Sequence, residues 1–347
     1  MNAAALDVVR RAVARGDYFR GSAAHLGAKA GHKEWMHFAV YAPGLDLLVN
    51  YSVVDDVRSN AKEAPSLARL VYIARTDRWQ GEVEQVSRAT LGLGRIEARF
   101  DQSTLTFDGH EYHLEVRPRR GWLEADLRLE PVTVPSLIQN VDVGDGPPIH
   151  WLVVPRLHAS GWVRVHDRKF ELDRAPAYHD HNWGSFRWGR DFAWEWGFGL
   201  PPRADNPWSS VFVRLSDRGL THTLMQGLFL WKGVREQRVF RGHELRITRE
   251  GLLRADRVCK LPGAMGLLSP GTATDVPQRL RLRAEGRGDR VDAVFTSAEI
   301  AQVIIPNDDD DGVTIINEVA GRFELEGRVR GEAVAIEGPA VFEFLGR

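Results

Sequence analysis

Apolar and polar residues alternate along most of this chain with a period of two. The N-terminus departs from this. Leu6, Val9 and Val13 fall at helical spacing and Gly16 ends the run, which predicts one short amphipathic helix. Beyond it, helical periodicity nearly vanishes. The runs 34–41 and 47–54, joined by Pro43-Gly44, predict a β-hairpin. Further strand-like runs cover 70–76, 94–100, 104–107, 112–116 and 121–129, with turns such as Asp108-Gly109 between them. After Pro147-Pro148 come 149–155, then a hairpin of 161–166 and 169–172. The pattern resumes at 209–215, 221–231, 237–240, 245–248, 279–284, 290–295, 314–319, 321–329, 332–336 and 340–345. Strands this frequent, on this turn spacing, predict an all-β protein of sandwich or barrel type rather than βαβ units. No repeat links the two halves, and 347 residues correspond to roughly two domains of about 150 residues. The expected division is a β domain over 1–176 and a β-barrel domain over 177–347.

One stretch breaks the ordinary pattern. Ala177-Tyr178-His179-Asp180-His181-Asn182-Trp183-Gly184 crowds polar and aromatic groups together, and the run from Trp188 to Gly199 follows closely. Five of the 11 tryptophans lie between 183 and 208, an expensive way to fill a core when indole N–H groups need partners. In a strand, Tyr178, Asp180 and Asn182 share one face, and His179, His181 and Trp183 the other. In the next run Phe192, Trp194, Trp196 and Phe198 oppose Ala193, Glu195, Gly197 and Gly199. Glycine there can mark the close approach of a ligand or of another backbone.

Three readings fit these residues. They can be structural, with buried histidines and aspartates locking a domain junction. His179 and His181 can be two metal ligands, but no third is evident nearby, and the expectation is no metal. Or they form an acid site: a buried carboxyl such as Asp180 or Glu195 holds its proton more tightly, and tryptophan faces stabilise a cation. His37 can line a pocket or be a satisfied core histidine, while Asp55-Asp56 and Asp308 to Gly312 read as solvated turns.

Composition narrows the classes. A formal charge of -1 gives no global footprint for nucleic acid, and the arginines at 279, 281 and 283 read as an outward strand face. The lone Cys259 excludes an intramolecular disulfide and a multi-cysteine metal site. No apolar run is long enough to span a membrane, and the first residues lack a secretory pattern, so the expected location is cytoplasmic. No P-loop, dinucleotide turn or nucleophile elbow occurs.

The Tyr178–Gly184 phrase resembles the hallmark of the carotenoid 1,2-hydratase (hydroxyneurosporene synthase, CrtC) and AttH-like family. Glu34-Trp35-Met36-His37-Phe38 is similar to that family's N-terminal Glu-Trp-Trp-Tyr-Phe, and the closing strands from Gly321 to Glu343 resemble its last ones more loosely. The resemblance implies a pair of lipocalin-like β-barrels and a cofactor-free enzyme. It would act on a greasy isoprenoid or polyene, as a hydro-lyase or as a terpenoid or polyketide cyclase. Related two-barrel proteins are pericyclases, including Diels–Alderases. His181 and Trp183 occupy motif positions that matter in the hydratases. Those enzymes carry a Tyr-x-Asp pair about one strand after the aromatic run; here 210–215 reads Ser-Val-Phe-Val-Arg-Leu, so an acid must come from elsewhere.

The expected function is therefore natural-product biosynthesis by acid-initiated alkene hydration or cyclisation. Asp180, His181, Glu195 and His179 are the catalytic candidates. Tyr178, Asn182, Trp183, Trp188, Trp194, Trp196, Trp35 and His37 are the substrate-binding ones. A pericyclase working by pre-organisation and a non-catalytic lipid or pigment carrier are the alternatives. The expected partner is a hydrophobic small molecule, without nucleic acid or cofactor, and peripheral membrane contact stays open.

Overall fold

The computed structural model describes residues 3–20, 31–55, 67–143, 148–202, 205–254, 258–263 and 275–345. Asp56, the side chain of Asp55, the turn at 58–60 and Pro147 lie outside that description, so the readings made of them are left there. Contacts divide the chain into two compact units, one of Met1–Asp77 and Glu82–Phe186, the other of Arg78–Gly81 and Arg187–Arg347. The contact boundary thus follows Phe186, and the 177–184 stretch belongs to the first unit.

The first unit opens with α1 (Ala3–Gly16), whose Val9 and Val13 are buried as the spacing predicts. Its strands begin with β1 (His32–Ala42), β2 (Leu45–Asp55), β3 (Leu67–Arg75), β4 (Trp79–Gln85), β5 (Ala89–Leu91) and β6 (Glu97–Phe100). They continue with β7 (Ser103–Phe107), β8 (Tyr112–Val116), β9 (Leu123–Pro131), β10 (Ser136–Val141), β11 (Ile149–Val165) and β12 (Arg168–Ser185). They pair in the order β4-β3-β2-β1-β12-β11-β9-β8-β7-β6-β5, with β10 beside β11. One face of this sheet curls around a core that includes Met36, Phe38, Tyr51, Tyr112, Leu127 and Trp183.

The second unit contains β13 (Ala193–Gly199), β14 (Trp208–Ser216), β15 (Thr223–Lys232), β16 (Arg235–Arg241) and β17 (Leu245–Glu250). It ends with β18 (Val258–Leu261), β19 (Arg279–Gly286), β20 (Asp289–Pro306), β21 (Val313–Val329) and β22 (Glu332–Leu345). The order is β16-β15-β14-β13-β22-β21-β20-β19-β17, and β18 runs parallel to β20. The protein is all-β, 68% strand, with two large curled antiparallel sheets of the lipocalin-like type. Among the described residues no helix is long and apolar enough to cross a membrane.

Several expected breaks are absent. The runs on either side of Pro155 form one strand, β11, which bulges against β12 between Val154 and Leu157 and again between Ala159 and Gly161. A bulge absorbs the proline without ending the pairing. The hairpin arm at 169–172 continues through the motif as β12. β4, β5, β10 and β18 are short or polar and carry little periodic signal.

The long strands change character along their length. In β12, residues up to Pro176 are largely exposed or half-buried, whereas every residue from Ala177 to Ser185 except Asn182 is buried. β20, β21 and β22 behave alike, alternating at one end and buried on both faces at the other. β13 is buried throughout. On β19 the alternation is clean: Arg279, Arg281 and Arg283 face out and Leu280, Leu282 and Ala284 face in.

The glycines of β13 make room for phenylalanine. A Cβ on Gly197 would lie 2.3 Å from the Phe342 ring, and one on Gly199 would lie 2.4 Å from Phe323. Gly197→Ala overpacks this core and should destabilise the protein by about 1–3 kcal/mol, read as a lowered urea midpoint. An unchanged midpoint would show that the ring moves aside freely.

Candidate functional site

On β12 the face bearing His179, His181 and Trp183 looks into the first unit's core. In register, His179 lies opposite Phe38 of β1 and His181 opposite Met36. Asp17 follows α1, its N–H donating to the Val13 carbonyl at 2.9 Å, and its carboxylate enters the same space. His179 Nε2 lies 2.8 Å from Asp17 Oδ2, and His181 Nδ1 lies 2.7 Å from Asp17 Oδ1. The Tyr112 hydroxyl donates to Asp17 Oδ2 at 2.5 Å. On its far side His181 Nε2 meets Glu34 Oε1 at 2.9 Å, and His32 Nε2 meets Glu34 Oε2 at 3.1 Å. The Arg20 backbone N–H donates to both Glu34 oxygens, at 2.9 and 3.1 Å. His179 Nδ1 donates to the His37 carbonyl at 2.8 Å.

Asp17, Glu34, His179 and His181 are all buried. Burial alone would push both carboxyls up; hydrogen bonds and charge from His179 and His181 on Asp17, and from His181 and His32 on Glu34, outweigh it and hold both well below the carboxylate range. His181 is the mirror case. Burial would lower it, and the two flanking carboxylates hold it above its ordinary value. This is a closed carboxylate–imidazole network whose ring nitrogens at 179 and 181 all face oxygen acceptors, leaving none turned toward a metal. Trp183 is occupied as well: the Arg20 guanidinium lies 3.4 Å from its ring centre, and His150 stacks at 5.2 Å. Elsewhere among the described residues, Asp108, Glu111 and His113 bring three potential metal ligands together at a partly exposed turn.

The opposite face of β12 carries Tyr178, Asp180 and Asn182. The Tyr178 hydroxyl donates to Asp180 Oδ2 and the Asn182 amide to Oδ1, both at 2.9 Å. His37 stands directly across from Asp180 and Trp35 from Asn182. Burial, helped by the neighbouring His179, pushes His37 down to about 3, so it is neutral at ordinary pH.

In the second unit Glu195 points to the core side of β13. It pairs with Arg214 directly across the sheet and with Arg249 Nε at 3.4 Å. Trp194 and Trp196 share the other face; Trp188 and Phe192 approach Trp194 at 5.6 and 5.4 Å, and Phe198 approaches Trp196 at 5.5 Å. Two acids missing from the sequence reading join them. Glu343 lies across from Trp196, and Glu318 lies across from Glu343. The Trp194 indole N–H donates to Glu343 Oε1, and Glu318 and Glu343 are hydrogen-bonded to each other. Burial pushes the Glu343 carboxyl up, against the opposing effect of the bonds from Glu318 and Trp194. Each acid is the lone charge in an apolar run, Ile315-Ile316-Asn317-Glu318-Val319-Ala320 and Ala340-Val341-Phe342-Glu343-Phe344-Leu345. That signal was available.

No family model and no curated protein sequence matches the chain. Solved structures do. It is similar to an AttH-like protein from Nitrosomonas europaea, with 12% identity, a TM-score of 0.63, and 91% of this chain and 92% of that one covered. Kievitone hydratase from Nectria haematococca aligns with 14% identity and a TM-score of 0.61, over 95% of this chain and 93% of that one. CghA with Sch210972 aligns with 12% identity and a TM-score of 0.61, over 91% and 88%. The likeness is one of fold, the lipocalin-like fold of the AttH-like proteins.

The Asp17 network sets a stability window. Asp17 and Glu34 stabilise the fold above the ordinary carboxylate range of about 4, and that contribution is lost as pH falls through their depressed values. His181 stabilises it fully below about 6.5 and loses that contribution as pH rises through its raised value. Thermal stability should therefore peak at about pH 5–6.5, and Asp17→Asn should cost about 3–5 kcal/mol. Scanning calorimetry from acid to alkaline pH checks both; a profile without the alkaline decline would contradict a charged His181.

Proposed function

We propose that this chain is a cofactor-free enzyme that binds a long hydrophobic isoprenoid or polyene and protonates one of its alkenes, leading to hydration or cyclisation. The observation that carries this reading is the Glu318–Glu343 pair, two carboxyl groups directly opposite each other on β21 and β22, with Glu343 raised by burial. Two carboxyl groups bond to each other only when one holds a proton, and burial raises the Glu343 carboxyl above its ordinary value. The pair thus retains a proton to higher pH than an ordinary carboxyl does, beside Trp194 and Trp196. The titration belongs to the pair, and Glu343, the member next to the indoles, is assigned as donor.

In the proposed step the alkene π electrons form a C–H bond to the Glu343 proton, leaving a cation on the neighbouring carbon and a carboxylate on Glu343. The faces of Trp194 and Trp196 stabilise that cation by about 0.5–2 kcal/mol each. Water or an internal alkene then adds to the cation, and the proton released returns to the Glu318–Glu343 pair. Asp180 accepts from Tyr178 and Asn182, and Glu195 is bracketed by two guanidiniums, so the acid is assigned to Glu343 instead. His179 and His181 become positioning residues that set β12 through Asp17. The similarity to a hydratase structure and the motif resemblance to the carotenoid hydratases agree with this reaction class.

Glu343→Gln should reduce turnover by at least about 100-fold, the scale of a lost general acid, with folding and substrate binding retained. Activity should fall as pH rises through the raised Glu343 value. Trp194→Phe removes an N–H that favours the carboxylate, so that limb should move to higher pH. Product made in deuterium oxide should carry deuterium at the protonated carbon. Parent-like turnover in Glu343→Gln, with product free of deuterium, would end the acid reading in favour of a pericyclic one.

A further inference from the structure

Strand register continues the Glu343 face across the sheet. From Glu343 the row passes to Trp196 of β13, Val213 of β14 and Gly227 of β15. Two residues further along lie Phe198, Val211 and Phe229, and beyond them Ser209 and Trp231 face each other on β14 and β15. Apart from the half-buried Glu343 and the glycine, all of these side chains are buried. The face is therefore an apolar and aromatic surface with a carboxyl pair at one place and two polar groups at another.

Those two groups stand directly opposite each other on adjacent strands. Ser209 is 0% and Trp231 1% exposed. Neither the Ser209 hydroxyl nor the Trp231 indole N–H has a hydrogen-bond partner among the described residues. The Trp231 ring itself is well held, stacked on Phe229 at 6.0 Å, so the nitrogen is fixed in place. A buried donor without an acceptor is costly, and two on adjacent strands, directly opposite each other, form a ready pair for one oxygen. Indole N–H can only donate, and the hydroxyl can donate alongside it. The ligand atom that matches is an acceptor with two lone pairs, a carbonyl or hydroxyl oxygen. A cation or an ammonium group does not match.

We infer that Ser209 and Trp231 bind an oxygen at one end of the substrate, which makes the substrate class an oxygenated linear isoprenoid or polyene rather than a pure hydrocarbon. This rests on the proposed function for the alkene end. Ser209 lies two strands over and four residues along from the Glu343 row, which strand spacing and rise convert to about 17 Å. The chain between oxygen and reacting alkene must be long enough to cross Trp196 and Phe198. The oxygen then fixes which alkene meets Glu343, a positional specificity that an apolar surface alone supplies poorly.

The test uses the full chain and three probes of matched skeleton: farnesol, farnesal and the hydrocarbon farnesene. Binding is followed by tryptophan fluorescence and by the Trp231 indole N–H resonance, assigned by its loss in Trp231→Phe. Farnesol or farnesal should bind at least about tenfold more tightly than farnesene, the worth of one well-made hydrogen bond, and should move that resonance downfield. Trp231→Phe and Ser209→Ala, both conservative in shape, should bring the oxygenated probes to farnesene's affinity while leaving farnesene unchanged. Equal affinity of all three for the parent chain, or absence of binding by any, overturns the inference. Glu343→Gln separates it from the protonation reading. Retained discrimination with parent-like turnover would remove only the acid, and lost turnover without discrimination would remove only the oxygen site.

Discussion

Burial of both faces of the same strands is the constraint on which this structure depends. A strand with one wet face can put its polar residues there. From Ala177 onward in β12, through all of β13 and in parts of β20, β21 and β22, that outlet is closed. Every charged group on these segments must then be neutralised inside the fold or hold its proton. Leucine and valine would avoid the problem, and the chain places acids and histidines there instead.

Three carboxylate environments follow, and they differ in what surrounds an otherwise similar side chain. Asp17 and Glu34 are met by imidazoles and by backbone or phenol donors, which favour the charged form. Glu195 is met by guanidiniums. Glu343 is met by another carboxyl and an indole, and burial favours its neutral form against the opposing bonds. Environments that push proton affinities apart are how one fold separates structural acids from reactive ones. The first network ties α1 to β12 and β1. The third is the one to which the proposed function assigns the proton donor.

Much of this architecture was legible because strand period and turn chemistry are local. The 3-4 spacing of Leu6, Val9 and Val13 marked α1, and the alternating arginines of β19 marked an outward face. The split of 177–184 into two faces was also readable and holds in register. The partners of those faces were not. Asp17 and His181 are 164 positions apart, and nothing near either residue announces the other. The continuity of β11 and β12 was hidden by Pro155 and by Arg174, whose φ of 51° sits beside a register shift that only pairing reveals. Glu318 and Glu343 were visible as lone acids in apolar runs, but their mutual contact depends on the register of β21 and β22.

The central claim is that the Glu318–Glu343 pair holds a proton near neutral pH. Infrared spectroscopy of the protein at neutral pH tests it most directly, through the carbonyl stretch of a protonated carboxyl and its shift in deuterium oxide. The account predicts such a band in the parent protein, its loss in Glu343→Gln, and its persistence in Asp180→Asn and Glu195→Gln. A parent spectrum without the band, or one that survives in Glu343→Gln and vanishes in Asp180→Asn, would contradict it.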